Sequence, residues 1–374
     1  MISLYRMFQI IFGIIVSVFV LYFLIQYASN YAGFQKDVQK VTIIKNLKIT
    51  AESVYTYGNP VDFPDTSRYD FSSCYMIVNK PEPPNIKCDF GEVGSVLIPM
   101  LLSADGEVVV DRADLNFGWH VMHWVEVMPE SVILFTPTDS SEVTWNLMKN
   151  LTDVLPSTEN LETKITYDFC DGNSLTYACG GPCEKFSFMT VLDSVQDSAS
   201  RCTRSLSKKY RLITISNNCG PGFSNYGVCV KPSQDGVGVA YLAGSGETYV
   251  YKDPLDIIAL VIGGGEKDVF EKTGGEKLYD YKNEVWGERL SLAAKIMKQR
   301  MFLLPGKYQR PDGNPECQPY MSTYGQLAGA LASIADQAKG NYKNEAAMRN
   351  LATRLKEAES LYQDLVDWGC EYYV

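Results

Sequence analysis

Histidine is almost missing from this chain: His120 and His123 are the only two in 374 residues. That leaves very little for an imidazole zinc site or a Ser-His-Asp triad. Basic residues are in deficit, with 34 Lys and Arg against 44 Asp and Glu, a net charge of −10 and a pI near 4.9. Nucleic-acid binding needs a basic stripe that displaces counterions, and neither such a stripe nor an RNA- or DNA-binding motif occurs, so nucleic acid is excluded as a partner. There is no Gly-x-Ser-x-Gly elbow, no P-loop and no His-Glu-x-x-His. Repeats and low-complexity tracts are also missing. With 46% hydrophobic and 21% charged residues the composition is that of a folded, globular chain.

One absence is local. From Met7 to Ser29 no residue is charged. About 20 apolar residues cross a ~30 Å hydrocarbon core as a helix. A signal-peptide apolar region is shorter, and no small-x-small cleavage site follows. The expectation is a retained single-pass anchor that contacts the lipid bilayer through residues 7–29. Lys36, Lys40, Lys45 and Lys48 on the distal flank outnumber Arg6 on the other, which favours a cytoplasmic C-terminal side. The ten cysteines argue the reverse: an even number, spread through the globular part, is the pattern of structural disulfides in an oxidising space. Large domains are exported despite flank charge. The cysteines therefore decide the expectation, and the domain is placed outside the cytoplasm, with a cytoplasm-facing domain as the alternative. The sequon Asn150-Leu151-Thr152 is compatible with export.

The fold class read from the pattern is α/β with α+β elements. Residues 1–29 form the transmembrane anchor and 30–57 a helical stalk, with Val38, Val41, Ile44 (or Lys45), Leu47 and Ala51 on a partial stripe ended by the breakers of "YGNPVDFPD". Residues 58–130 are β-rich, with "YDFSSCYMIV", "SVLIPMLLS", "GEVVVD" and "FGWHVMHWVEV" as strands. Residues 131–275 alternate strand and helix, a Rossmann-like core. There "SVILF", "ETKITYDFC", "KFSFMTVL", "YRLITIS", "GVCV" and "DIIALVI" read as strands. The pieces from Asp139 and from Asp193 to Leu206 read as helices, the first capped by Asp139 or Ser140. "AGSGE" is a hairpin turn. Residues 276–374 are a helical region packed on that core. Its stripes are Trp286, Leu290, Ala293, Met297 and Met301; Leu327, Leu331, Ile334 and Ala338, capped by Ser322; and Leu351, Leu355, Ala358, Tyr362 and Leu365.

The last two stripes make an antiparallel hairpin across "AKGNYKN", which brings Cys317 and Cys370 together as a disulfide. Cys74 with Cys88, and Cys219 with Cys229, flank hairpins and are natural local pairs. Cys170, Cys179, Cys183 and Cys202 lack the common CxxC spacing of zinc sites, so disulfides are favoured over a four-thiolate zinc site there. On a strand His120 and His123 point to opposite faces, which makes a structural histidine the better reading than a metal pair. Neither a metal nor a cofactor is implied.

"DIIALVIGGGEKD" lacks the third glycine of a Rossmann fingerprint and the lysine of a P-loop, and Glu266 would repel a phosphate at a helix N-terminus. What survives is composite. If the central strands are parallel, the loops "TPTDSS", "NNCGPG" and "GGGEKD" leave one sheet edge together, where open α/β sheets bind ligands. Thr136, Asp139, Ser140, Asn217, Asn218, Gly264 and Gly265 would line that crevice. Capping and turn residues have the same composition, so the crevice competes with a plain turn reading.

The spacing of "SVILFTPTDSSEVTWNLMKNL", "LDIIALVI" before the Trp286 helix, and the closing "DWGCEYYV" resembles uncharacterised membrane-anchored proteins of small-genome archaea. The resemblance covers about half the chain. It implies one span, a Rossmann-like core and a helical C-terminus closed by cysteines, and no activity. A processed type IV pilin is not indicated, because no Gly-(x)4-Glu pattern meets the apolar run. The expected function is a disulfide-braced, membrane-anchored extracytoplasmic protein that binds a protein partner or scaffolds the cell envelope. The alternative is an extracytoplasmic enzyme with an acidic strand-edge site near Asp139.

Overall fold

The computed structural model describes residues 4–63, 75–77, 84–88, 91–102, 108–129, 132–137, 141–154, 210–222, 227–243, 245–263, 275–308 and 315–371. The fold is mixed α/β, with an N-terminal apolar helix, small sheets and a C-terminal helical region. Cys74 and the cluster Cys170, Cys179, Cys183 and Cys202 lie outside the described residues, as do the strands and helix expected between Glu162 and Leu206.

Helix α1 (Leu4–Tyr57) is continuous over 54 residues. Its stretch Phe12–Ala32 is 0% buried and has a mean hydropathy of 2.0, long and apolar enough to cross a membrane. About four turns further on the same helix enters the core, where Leu47, Ala51 and Val54 are buried. Gly58 ends it: at φ 76° its N–H still donates to the Val54 carbonyl at 2.8 Å, a left-handed cap that favours glycine. The Arg112 guanidinium lies over Gly58 and donates to the Tyr55 carbonyl at 3.4 Å, tying the helix end to the sheet below.

That sheet has the order β1 (Val61–Phe63), β6 (Val108–Asn116), β7 (Val121–Pro129), β5 (Met100–Leu102). β1, β6 and β7 pair antiparallel and β5 joins β7 parallel. A three-stranded meander, β2 (Tyr75–Ile77), β3 (Asn85–Cys88) and β4 (Gly91–Ser95), stands beside it. α1 packs against β4, β6 and β7.

The second large sheet is β12 (Thr248–Tyr251), β11 (Gly238–Leu242), β10 (Val228–Lys231), β9 (Tyr210–Ile215), β8 (Val132–Pro137). β8, β9 and β10 run parallel; β11 and β12 are antiparallel. A doubly wound fold carries helices on both faces of a mostly parallel sheet. Among the described residues this sheet shows three parallel strands, and α3 (Pro254–Gly263) is the helix that packs on β9, β10 and β12. The "AGSGE" hairpin is observed between β11 and β12.

α3 corrects the reading of "DIIALVI" as a strand. Leu255, Ile257, Ile258, Ala259, Leu260, Val261 and Ile262 are all buried. The helix lies between the sheet and α4 (Gly275–Tyr308) and touches α2 (Glu142–Val154), so no face is left for polar residues and no 3.6-residue period is written in the sequence. Its start is nonetheless encoded. Asp253 is the N-cap and accepts from Asp256 N at 3.1 Å, and Pro254 takes the first helical position. α2 is capped by Ser141, one residue beyond the expected Asp139 or Ser140, with Oγ accepting from Thr144 N at 3.3 Å.

α4, α5 (Met321–Gln337) and α6 (Glu345–Asp367) stack in sequence on α3. Gly287 of α4 permits the closest approach to the end of α5: a Cβ there would lie 2.3 Å from the Ala338 carbonyl. Ser291, one turn on, donates to the Ala335 carbonyl at 2.7 Å. Asn344 caps α6, accepting from Ala347 N at 3.0 Å. Ser322 is not the cap of α5. It lies inside the first turn, because a 3-10 helix at Pro315–Tyr320 runs straight into α5 and puts Tyr320 at the cap position, with no side-chain cap hydrogen bond. The antiparallel hairpin closes as expected through Cys317–Cys370, Cα–Cα 5.6 Å, with Tyr324 donating to the Cys370 carbonyl at 2.7 Å.

Candidate functional site

A cavity of about 770 Å³ opens between α2, α6, the β10–β11 turn, the β6–β7 turn and the entry to α3. Each wall has a local reason for its shape. Gly236 at φ 85° turns the chain from β10 into β11. Asp235 stiffens that turn by accepting from Ser233 Oγ at 2.6 Å and Val237 N at 3.2 Å, and it pairs with Arg349 of α6. Burial would raise the Asp235 carboxyl, but these hydrogen bonds and the Arg349 guanidinium outweigh it and hold it below its usual value. Lys356 donates to the Asp235 carbonyl at 3.2 Å, so α6 grips the turn twice.

The rim is polar. Glu142, Asn146, Lys149, Asn150 and Asp153 from α2 face Glu359 and Lys356 from α6, with Asn116, Ser233 and Gln234 between. Phe117, Leu147, Leu355 and Tyr251 supply apolar patches. Such mixed walls offer hydrogen bonds in several directions and suit a polar small molecule.

Beneath the rim lies a buried charge network. Lys252 and Asp253 line the cavity, and behind them stand Asp256, Lys282 and Asn283. Asp256 accepts from Lys252 N at 3.0 Å, from Lys252 Nζ at 3.0 Å, from Lys282 Nζ at 2.9 Å and from Asn283 Nδ2 at 2.9 Å. Lys282 also donates to Asp253, and Lys252 to Asn283 Oδ1. The Lys252 ammonium sits 4.2 Å from the Trp286 ring centre, a cation–π contact. Two lysines and two aspartates make the network neutral as a unit.

Burial disfavours the charge on Lys252, which is pushed down to about 8 despite Asp256 and Asp253. Burial would raise Asp256, but the two ammonium groups outweigh it and bring it to about 2. Lys282 moves up, because its two carboxylate partners outweigh its own burial. A lysine poised near neutrality in a cleft has the electronic profile of a functional group. Here, however, its donors are engaged by Asp256, Asn283 and the Trp286 face.

The expected crevice is assembled only in part. Thr136 and Asn217 and Asn218 do fall at the carboxyl ends of the adjacent parallel strands β8 and β9. The third loop does not follow a strand, because "DIIALVI" is α3. Asp139, Ser140, Gly264 and Gly265 lie outside the described residues. None of the described crevice residues lines the cavity. The residues that do, above all Lys252 and Asp253, were missed, although the capping signature "KDPLD" marked the place.

The histidines also differ from expectation. His120 lies in the turn before β7 rather than in the strand, so both rings line one groove instead of opposite faces. His123 Nδ1 is 2.7 Å from Asp114 Oδ1. Among the described residues no cluster of three potential metal ligands occurs. Every described cysteine is in a disulfide: Cys219–Cys229, Cys317–Cys370, and Cys88.

Comparison with protein-family models, with curated proteins and with solved structures finds no match. The functional reading therefore rests on geometry and chemistry alone.

Proposed function

We propose that this is a single-pass, membrane-anchored protein of the cell envelope. Its disulfide-braced α/β domain lies outside the cytoplasm and binds a polar ligand or partner group in the cleft between α2 and α6. The observation that carries the reading is the division of α1. Over Phe12–Ala32 the helix is apolar and wholly exposed, while Leu47, Ala51 and Val54 of the same helix are buried in the domain. Leaving 21 such residues in water costs far more than placing them in lipid, at ~0.8 kcal/mol per CH₂ buried. The disulfide state of the described cysteines supports an oxidising compartment.

A catalytic reading has one specific observation behind it, the depressed Lys252 at the cleft floor. Engagement of that ammonium by Asp256, Asn283 and Trp286 supports a structural role, so binding stands first.

Topology is tested by treating spheroplasts of an expressing cell with an impermeant protease. An extracytoplasmic domain is digested while the cells stay intact. Protection of the domain, with digestion only after lysis, would place it in the cytoplasm and overturn the assignment. Release of the protein by alkaline carbonate would overturn the anchor itself.

A further inference from the structure

A second groove, of about 540 Å³, lies on another part of the domain, between the end of α1, the β6–β7 turn and α4. Its floor and walls are Tyr55, Trp119, Met122, Ile296 and Met297, and it carries Arg289 and Arg300. Leu292 and Ile296 stand 60% and 63% exposed along its edge, and Phe302 and Leu303 continue the exposed apolar face of α4.

Charge sets this face apart. Between Arg289 and Leu304 the chain has Arg289, Lys295, Lys298 and Arg300 and no acid, in a protein whose net charge is −10. Several cations elsewhere find carboxylates: Arg112 with Asp114, Lys343 with Asp280, Arg349 with Asp235, Arg354 with Glu357. Among the described residues these four have no carboxylate partner. Arg289 donates to the Tyr55 hydroxyl at 3.2 Å, Arg300 to the main-chain carbonyl of Glu371, and Lys298 lies near the Phe302 ring. Asp114, the acid near His123, is already engaged by Arg112 and His123. Burial, then the electrostatic effect of His123 and Arg289 beside it, holds His120 below its usual value.

We propose that this groove binds a single-chain anionic amphiphile, with an acyl chain along Trp119, Ile296 and Met297 and a carboxylate or phosphate head between Arg289 and Arg300. The volume is in the range of small-molecule sites. An apolar trough with two guanidinium groups that hold neutral oxygens and no carboxylate complements a chain with an anionic head, and guanidinium forks match carboxylate and phosphate. A bilayer surface fits less well. Tyr55 stands 23 residues beyond Ala32 on a continuous helix, which is about 35 Å of rise.

The test uses the full-length protein in phosphatidylcholine nanodiscs, with Trp119 fluorescence quenched by brominated dodecanoate. The expectation is saturable quenching, weakened at least about tenfold in Arg300→Gln and abolished in Ile296→Asp. Ile296 is exposed, so that variant keeps its fold, and an unchanged melting temperature confirms it. Brominated dodecanol should bind at least about tenfold more weakly than dodecanoate. Equal binding of the alcohol, or no saturable quenching by either probe, would overturn the proposal. So would binding confined to phosphatidylserine nanodiscs, or binding of an acidic amphipathic peptide without dodecanoate binding. The first of these would make the face a bilayer contact and the second a protein-docking groove.

Discussion

Asp256→Asn is the sharpest probe of the buried network. The side chain keeps its shape and can still accept from Lys252 N, so the helix cap survives and the perturbation is mainly one of charge. Wild-type Asp256 is depressed from 3.8 to about 2. At ~1.4 kcal/mol per unit that corresponds to about 2 kcal/mol of stabilisation at pH 7. Removing one member of a buried ion pair typically costs ~3–5 kcal/mol, because the partner is left uncompensated. Here Asp253 still neutralises one of the two lysines, and Lys252, already down at about 8, can shed its proton. These considerations centre the loss on about 3 kcal/mol. Because the folded value is depressed, the contribution is complete above the unfolded value and is lost as pH falls toward 2. About half of the ionisation part should remain at pH 3. Urea unfolding of the detergent-solubilised protein, followed by tryptophan fluorescence, measures it, since Trp286 sits against Lys252. Adding Lys282→Met should recover a large part of the loss. A loss below ~1 kcal/mol at pH 7, or a gap unchanged between pH 7 and pH 3, would refute the reasoning.

Glu126 of β7 is fully buried beside Asp111 with neither carboxyl oxygen hydrogen-bonded, and burial, then Asp111, raise it well above its usual value. Holding its proton costs more as pH rises, so Glu126→Gln should raise the melting temperature at pH 8 more than at pH 5; a lower melting temperature at pH 8 would show the carboxylate to be stabilising. Cys317→Ser with Cys370→Ser opens a loop of 53-residue separation, for an expected loss of about 4 kcal/mol in chemical denaturation. Opening Cys219–Cys229, of separation 10, should cost about 3 kcal/mol. Gly287→Ala drives a methyl into the Ala338 carbonyl and should cost ~1–3 kcal/mol, read as a lower urea midpoint at unchanged m-value.

The sequence was most legible where periodicity and topology spoke together. Leu327, Leu331, Ile334 and Ala338 repeat at helical spacing because α5 has one buried face, and the short link to α6 forces an antiparallel pair. Cys317–Cys370 follows from those two facts. The run Ile257–Ile262 was misread for the opposite reason: a helix buried on every side shows no period, and its β-branched residues mimic a central strand. The cap Asp253, the proline behind it and Asp256 in the first turn were the better signal, since they are set by backbone geometry and not by which face is wet. The cleft was illegible. Its walls come from segments more than 200 residues apart, and Lys252 meets Lys282 and Asn283 only through the packing of α4 on α3. Residue type alone could not separate Lys252 from the other lysines.

The helix that is apolar and exposed at one end and buried in the domain at the other has a mechanical consequence. Between Leu4 and Tyr57 it has no proline, and no loop interrupts it. Long helices curve gently, and sharp kinks need a proline, a Gly/Ser pair, a bulge or an inserted side chain or water. Leu47, Ala51 and Val54 are gear teeth in the core. A rotation of the apolar segment about its axis, as when two such helices pair, therefore turns the β6–β7 sheet directly. A continuous helix of this kind acts more as a drive shaft than as a flexible tether.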